Sequence, residues 1–283
     1  MDIFLSMLQQ LHAVSEEPVL TAFQPNITLL MLIASAGGLP LDYRTDPVSV
    51  NFTDADVEAA IRQILDLAKT GVIAYAPLTD HLSSPGSENA PFYAHTVAAD
   101  GFFRAGDQVT HYPQGNHFTP VAFDLGTAYI SDSAPSPEAC YRLIRALAER
   151  PDLLMGMPVV RRFAQVEDVM AVQSQDIRAF YDQLEARLTN PNTIGFPFGQ
   201  AGTTTDFAAT YWLLRAFDHY VLDDADLTAE LVDAELLTQA YLNCVAALPP
   251  FDTSRQQVRD YNLQVIDCAV QVDPPSESYF RLS

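Results

Sequence analysis

The amino-acid sequence predicts a helix-rich α/β fold, and three observations carry that expectation. Helical periodicity dominates the last 110 or so residues, and two well-delimited amphipathic helices stand in the first half. Strand signals are few and separated from one another in sequence. With 48% hydrophobic residues, 16 Phe and 12 Tyr among 283 residues, the chain can also bury one large core or two modest ones.

In chain order, Ile27 to Ala36 is an apolar stretch too short for a membrane span and reads as a core helix. Val48 to Phe52 is a weak strand. The clearest helix starts at Thr53, which forms a capping-box-like pattern with Asp56. It continues through Val57, Ile61, Ile64, Leu65 and Ala68 and is stopped by Gly71. Leu82 to Pro91, rich in Ser, Pro, Gly and Asn, reads as a surface loop. Val109 to Tyr112 and Pro120 to Ile130 hold β-branched and aromatic residues between turn formers and read as strands. Ser136 as N-cap and Pro137 at the first helical position open a helix whose stripe is Cys140, Leu143, Ile144 and Leu147. Helical patterns then cover Val172 to Leu188, Asp206 to Leu222, Leu227 to Ala247 and Ser254 to Val270.

Charge and motif content exclude several function classes. Thirty-six Asp plus Glu against 15 Lys plus Arg give a formal charge of −21, which repels nucleic-acid phosphates and anionic headgroups, so no nucleic-acid partner is expected. A G-x-S-x-G elbow, a phosphate-binding Gly loop and a C-x-x-C pair are all missing from the sequence. The six histidines lack the spacing of a helical zinc site, and His111 and His117 could meet only loosely across a turn, so no metal and no cofactor is expected. A glycosidase would need two carboxylates facing one pocket, for which Asp124 and Asp206 are the best placed; Asp206 is also explained by its place at a helix start. Cys244 and Cys268 lie on neighbouring helical patterns, where one bridge or two unpaired buried thiols both fit. The N-terminus has neither a basic start nor a small-residue cleavage site, so this polypeptide alone is expected to stay in the cytoplasm.

Several segments, taken in order, resemble the family 1, maltose-binding-protein-like, extracellular solute-binding proteins of bacterial ABC importers. LLMLIASAGG at 29–38 followed by PVSVNFTDADVEAAIRQILDLAKTGVI at 47–73 looks like an apolar helix ending in Gly-Gly and the alanine-rich helix after it. VTHYPQG at 109–115 is similar to the family's crossover strand. TPVAFDLGTAYISDSAPSPEACYRLIRALAERPDL at 119–153 resembles its strand, loop and helix block, and MPVVRR at 157–162 the end of that block. TYWLLRAFDHYVLDDADLTAELVDAELLTQAYL at 210–242 looks like its aromatic-led helix and acidic turn. The stretch after Leu242 departs from the pattern.

The resemblance implies an α/β, periplasmic-binding-protein-like (type II) fold in which this chain is a C-terminal piece lacking the signal peptide and most of the N-terminal lobe. Residues 1–110 would begin the C-terminal lobe, 111–165 would cross to a remnant of the N-terminal lobe, and 166–283 would complete the C-terminal lobe with an extension. It implies no enzymatic activity. The partners would be a small polar solute, a sugar or oligosaccharide, and ABC permease subunits, with the binding protein a monomer and the full-length form extracellular or periplasmic. At least one of Tyr211 and Trp212 would then stack on ligand. Phe123, Asp124 and Gly126 would line the cleft or be ordinary strand residues, and Gln24 and Asn26 would precede the Gly-Gly helix where ligand is contacted. The alternatives are a glycoside-active enzyme and a helical interaction domain.

Overall fold

The computed structural model describes residues 1–22, 24–80, 90–94, 108–115, 117–123, 128–149, 175–197, 204–249 and 255–282. The elements are α1 (Asp2–Ser15), β1 (Leu20–Ala22), α2 (Pro25–Ala36), β2 (Leu41–Asp42), β3 (Ser49–Val50), α3 (Ala55–Lys69), β4 (Phe92–Ala94), β5 (Thr119–Phe123), α4 (Pro137–Ala148), α5 (Gln175–Leu188), β6 (Thr193–Pro197), α6 (Thr204–Leu222), α7 (Leu227–Ala246), α8 (Arg255–Val272) and α9 (Glu277–Leu282). The fold is mixed α/β and rich in helix, and among the described residues the strands pair as β1 with β4, β2 with β3 and β5 with β6. None of the helices among the described residues is long and apolar enough to cross a membrane.

The chain divides into two compact units. The first holds residues Met1–Ala94, Pro113–Asp124 and Ile194–Ser283, the second His95–Tyr112 and Leu125–Thr193. The boundaries therefore fall at 94/95, 112/113, 124/125 and 193/194, whereas divisions at 110/111 and 165/166 were expected.

In the first unit β1 runs parallel to β4, Leu20 opposite Phe92 and Ala22 opposite Ala94. On its other side β1 exchanges hydrogen bonds with the extended segment after α3, Val19 N–H donating to Val72 O and Ala74 N–H to Leu20 O, each at 2.9 Å. Parallel pairing needs crossovers, and α2 and α3 lie in the connection between these rows. α2 is apolar on almost every side because it packs against both α3 and β5; Leu29, Met31, Leu32, Ile33 and Ala34 are all buried. α3 is amphipathic and buries Val57, Ala60, Ile61, Ile64, Leu65, Leu67 and Ala68. Its N-cap is Asp54, whose carboxylate accepts from Asp56 N–H (3.0 Å) and Val57 N–H (3.3 Å). Thr53, the expected cap, instead donates from its hydroxyl and its N–H to Glu235 of α7. Gly71, at φ 79°, ends the helix as expected.

The C-terminal helices form the larger core. α6 packs along α7, and α8 covers both. Cys244 and Cys268 are bridged, joining α7 to α8. α9 then brings Phe280 against Tyr211 and Trp212.

In the second unit, residues 108–112 carry no strand and lean on α5. His111 stacks on Phe180 with ring centroids 3.8 Å apart, and Arg187 donates to Tyr112 O at 3.0 Å. Burial holds the His111 imidazole below its usual pKa. α4 has the expected start, with Ser136 as N-cap and Pro137 first, although Ser136 makes no side-chain cap bond. Its stripe is not buried; Leu143 is 62% exposed. The MPVVRR segment lies outside the described residues.

Candidate functional site

The first unit contains a hollow at the C-terminal end of α2, and three glycines make it. Gly37 takes φ 110°, so its N–H and that of Gly38 turn back onto Ala34 O and Ile33 O, each at 3.0 Å. A Cβ on Gly38 would stand 2.8 Å from Ala60 Cβ and 3.3 Å from Val57 Cα, so glycine here sets how closely α2 and α3 approach. A Cβ on Gly115 would stand 2.1 Å from Ser35 O, which means backbone rests directly on the end of α2. The Ser35 hydroxyl shares its hydrogen between Met31 O (3.0 Å) and Pro113 O (2.8 Å), and Gly115 N–H donates to Phe118 O at 3.0 Å. Residues 113–115 and 117–118 are thereby strapped across the helix end.

Between strap and helices lies a space of about 520 Å³, open to solvent. Ala36, Gly37, Ala59 and Ala60 make a flat apolar floor; Asp56 and Gln63 rise from α3, and His117 and Phe118 from the strap. The positions follow from helical spacing, since 56, 59, 60 and 63 share one face of α3. The Asp56, Gln63 and His117 side chains take no hydrogen bond or ion pair among the described residues. Behind Phe118 stands the Arg44 guanidinium, 5.3 Å from the ring centroid. Its charge is already matched by Asp42 through two bonds of 2.8 and 2.7 Å, which hold the Asp42 carboxyl below the usual carboxylate range.

Of the residues expected to bind ligand, Gln24 and Asn26 lie at the opposite end of α2. Gln24 is the N-cap residue of α2, without a side-chain cap bond, and Asn26 lies in the first turn; both are half-buried. Twelve residues of helix put them about 16 Å from the hollow. Phe123 ends β5, with its side chain outside the described atoms, and Asp124 and Gly126 lie outside the described residues.

The expectation for Tyr211 and Trp212 is corrected. Trp212 is 0% exposed and Tyr211 8%, so neither ring offers a face to a ligand. The reason is the C-terminal extension. Phe280 lies 4.8 Å from Tyr211 and 6.3 Å from Trp212, Tyr279 lies 4.6 Å from Tyr211, and Trp212 Nε1–H donates to Asp273 at 2.9 Å. The same Asp273 carboxylate accepts from Arg215 at 2.5 Å.

Another carboxylate, Asp218 on α6, accepts from Tyr75 Oη at 2.6 Å and from Leu78 N–H at 2.9 Å. Burial pushes its pKa above the ordinary value, against these two bonds. It fastens the segment after α3 to α6. No protein-family model matches the chain, and no curated protein matches its sequence.

Proposed function

We propose that the hollow between α2, α3 and the strap holding His117 and Phe118 binds a small hydroxyl-rich solute, and that the protein is the solute-binding component of an import system, its first unit a lobe of the type II binding-protein kind. One observation carries this reading: three polar side chains without a hydrogen-bond or ion-pair partner among the described residues, and an aromatic ring, line one open, apolar-floored space. Its volume lies within the range of small-molecule sites, which pair apolar walls with a few orienting polar groups. Phe118 supplies a ring for the C–H face of a pyranose, while Asp56 accepts from hydroxyls and Gln63 and His117 both donate and accept. A carboxylate, amide and imidazole standing free in water gain little from one another, so their hydrogen bonds are available to a guest.

The test is a thermal-shift and calorimetric screen of the chain against neutral mono- and oligosaccharides. At a hundredfold excess over Kd, a ligand stabilises its host by about 2.7 kcal/mol. Phe118→Ala and Gln63→Ala should each weaken the response at least several-fold; full binding by both variants, or no response to any sugar, rejects the reading. A second reading, an interaction domain, is favoured by the exposed Leu143 on the stripe of α4. It requires self-association or partner capture that Leu143→Glu abolishes.

A further inference from the structure

The hollow is electrically one-sided, and we infer that it selects amine-bearing sugars over neutral ones and rejects acidic ones. This inference rests on the binding reading above and names the class of ligand within it.

Among the described lining residues Asp56 is the one carboxylate, and neither lysine nor arginine is present. Behind the Phe118 ring, Arg44 is spent on Asp42 in a two-point pair. On the far side Arg62 is held by Glu58 at 2.7 Å, one turn away on the same helix. The two helix ends at the hollow must also be counted. α2 presents its C-terminus at Ala36 and Gly37, the negative end of its dipole. α3 presents its positive N-terminus, but that end already carries Asp54 as cap and Asp56 and Glu58 in its first turn. His117 is the remaining titratable group on the described lining. The sum is negative, within a chain of formal charge −21 that raises the local concentration of cations over its whole surface.

An ammonium group on a sugar ring therefore gains a partner in Asp56 that a hydroxyl at the same carbon reaches only as a neutral donor, while a carboxylate there meets repulsion. Because Asp56 is exposed, the gain is that of a solvated ion pair, a factor of about two to five in affinity.

The experiment compares glucosamine, glucose and glucuronate, and the corresponding disaccharides, on the full chain by isothermal calorimetry at low and high salt. Expected are an aminated ligand about two to five times tighter than the neutral one, an acidic ligand weaker than both, and a ratio that falls toward one in about 1 M salt. Asp56→Asn, which removes the charge and a hydroxyl acceptor together, should weaken both sugars and bring the aminated-to-neutral affinity ratio to about one. Neutral and aminated sugars binding equally would overturn the charge selection and leave the binding reading standing, as would a preference that survives Asp56→Asn. No sugar of any charge binding would overturn both. Should Asp56→Asn fold poorly by circular dichroism, the salt dependence of the aminated-to-neutral ratio on the unaltered chain decides alone.

Discussion

At the scale of single residues, a few positions carry measurable parts of the stability of the fold. Asp54→Ala removes the acceptor for two N–H groups at the start of α3 and should cost about 1 kcal/mol in urea unfolding. Thr53→Ala leaves that cap intact and loses only an exposed contact to Glu235, so it should cost less. Gly38→Ala would force a methyl into 2.8 Å of Ala60 and should destabilise by about 1–3 kcal/mol. Asp218 responds to pH. Its folded carboxyl keeps its proton to a higher pH than the unfolded one, so the native state binds more protons just above the ordinary value of 3.8. Stability relative to Asp218→Asn should therefore fall as pH rises through that window, measured as the difference in denaturation midpoints from pH 3.8 to neutrality. A difference that grows instead would mean that the bonds from Tyr75 and Leu78 outweigh burial.

At the scale of elements, helices were legible, as were β3 within Val48 to Phe52 and the start of β5, whereas the other short strands were not, for a physical reason. α3, α4, α6, α7 and α8 each start or end within a few residues of their expected bounds, because a 3.6-residue apolar period repeats several times in each. β1, β4 and β6 are three to five residues long, too short for a period-2 pattern, and exist because neighbouring rows hold them. Val109 to Tyr112 has the composition of a strand yet no ladder among the described residues; the His111 ring and the Tyr112 carbonyl bond to α5 instead. The hollow was nearly invisible in sequence. Asp56 reads as a cap partner and His117 as a weak metal ligand, and only the Gly37-Gly38 pair hinted at close packing nearby. Tyr211 and Trp212 misled because adjacent helical positions differ by 100°, which normally leaves one outside; here α8 and α9 bury both. The Cys244–Cys268 bridge closes a loop of 24 residues, so replacing both by Ser, or reduction, should lower unfolding stability by about 3 kcal/mol. Asp273→Ala leaves the Trp212 N–H without its acceptor and Arg215 without its closest one, and should cost about 2 kcal/mol.

At the scale of the whole molecule, charge sets the terms. A formal charge of −21 repels itself, so raising salt from about 0.01 M to about 0.15 M should raise Tm, the opposite of what a fold held by surface ion pairs would do. The exposed pairs Arg142–Glu138 and Arg145–Glu149 on α4 contribute too little to reverse that sign. The seating of the last helices over Trp212 has a further consequence. This is the single indole in the chain, and its N–H points at a carboxylate contributed by the tail. Its ultraviolet emission is therefore a built-in gauge of tail docking: short-wavelength while Asp273 and Phe280 stay in place, shifted to the red as soon as water replaces them, without any label attached.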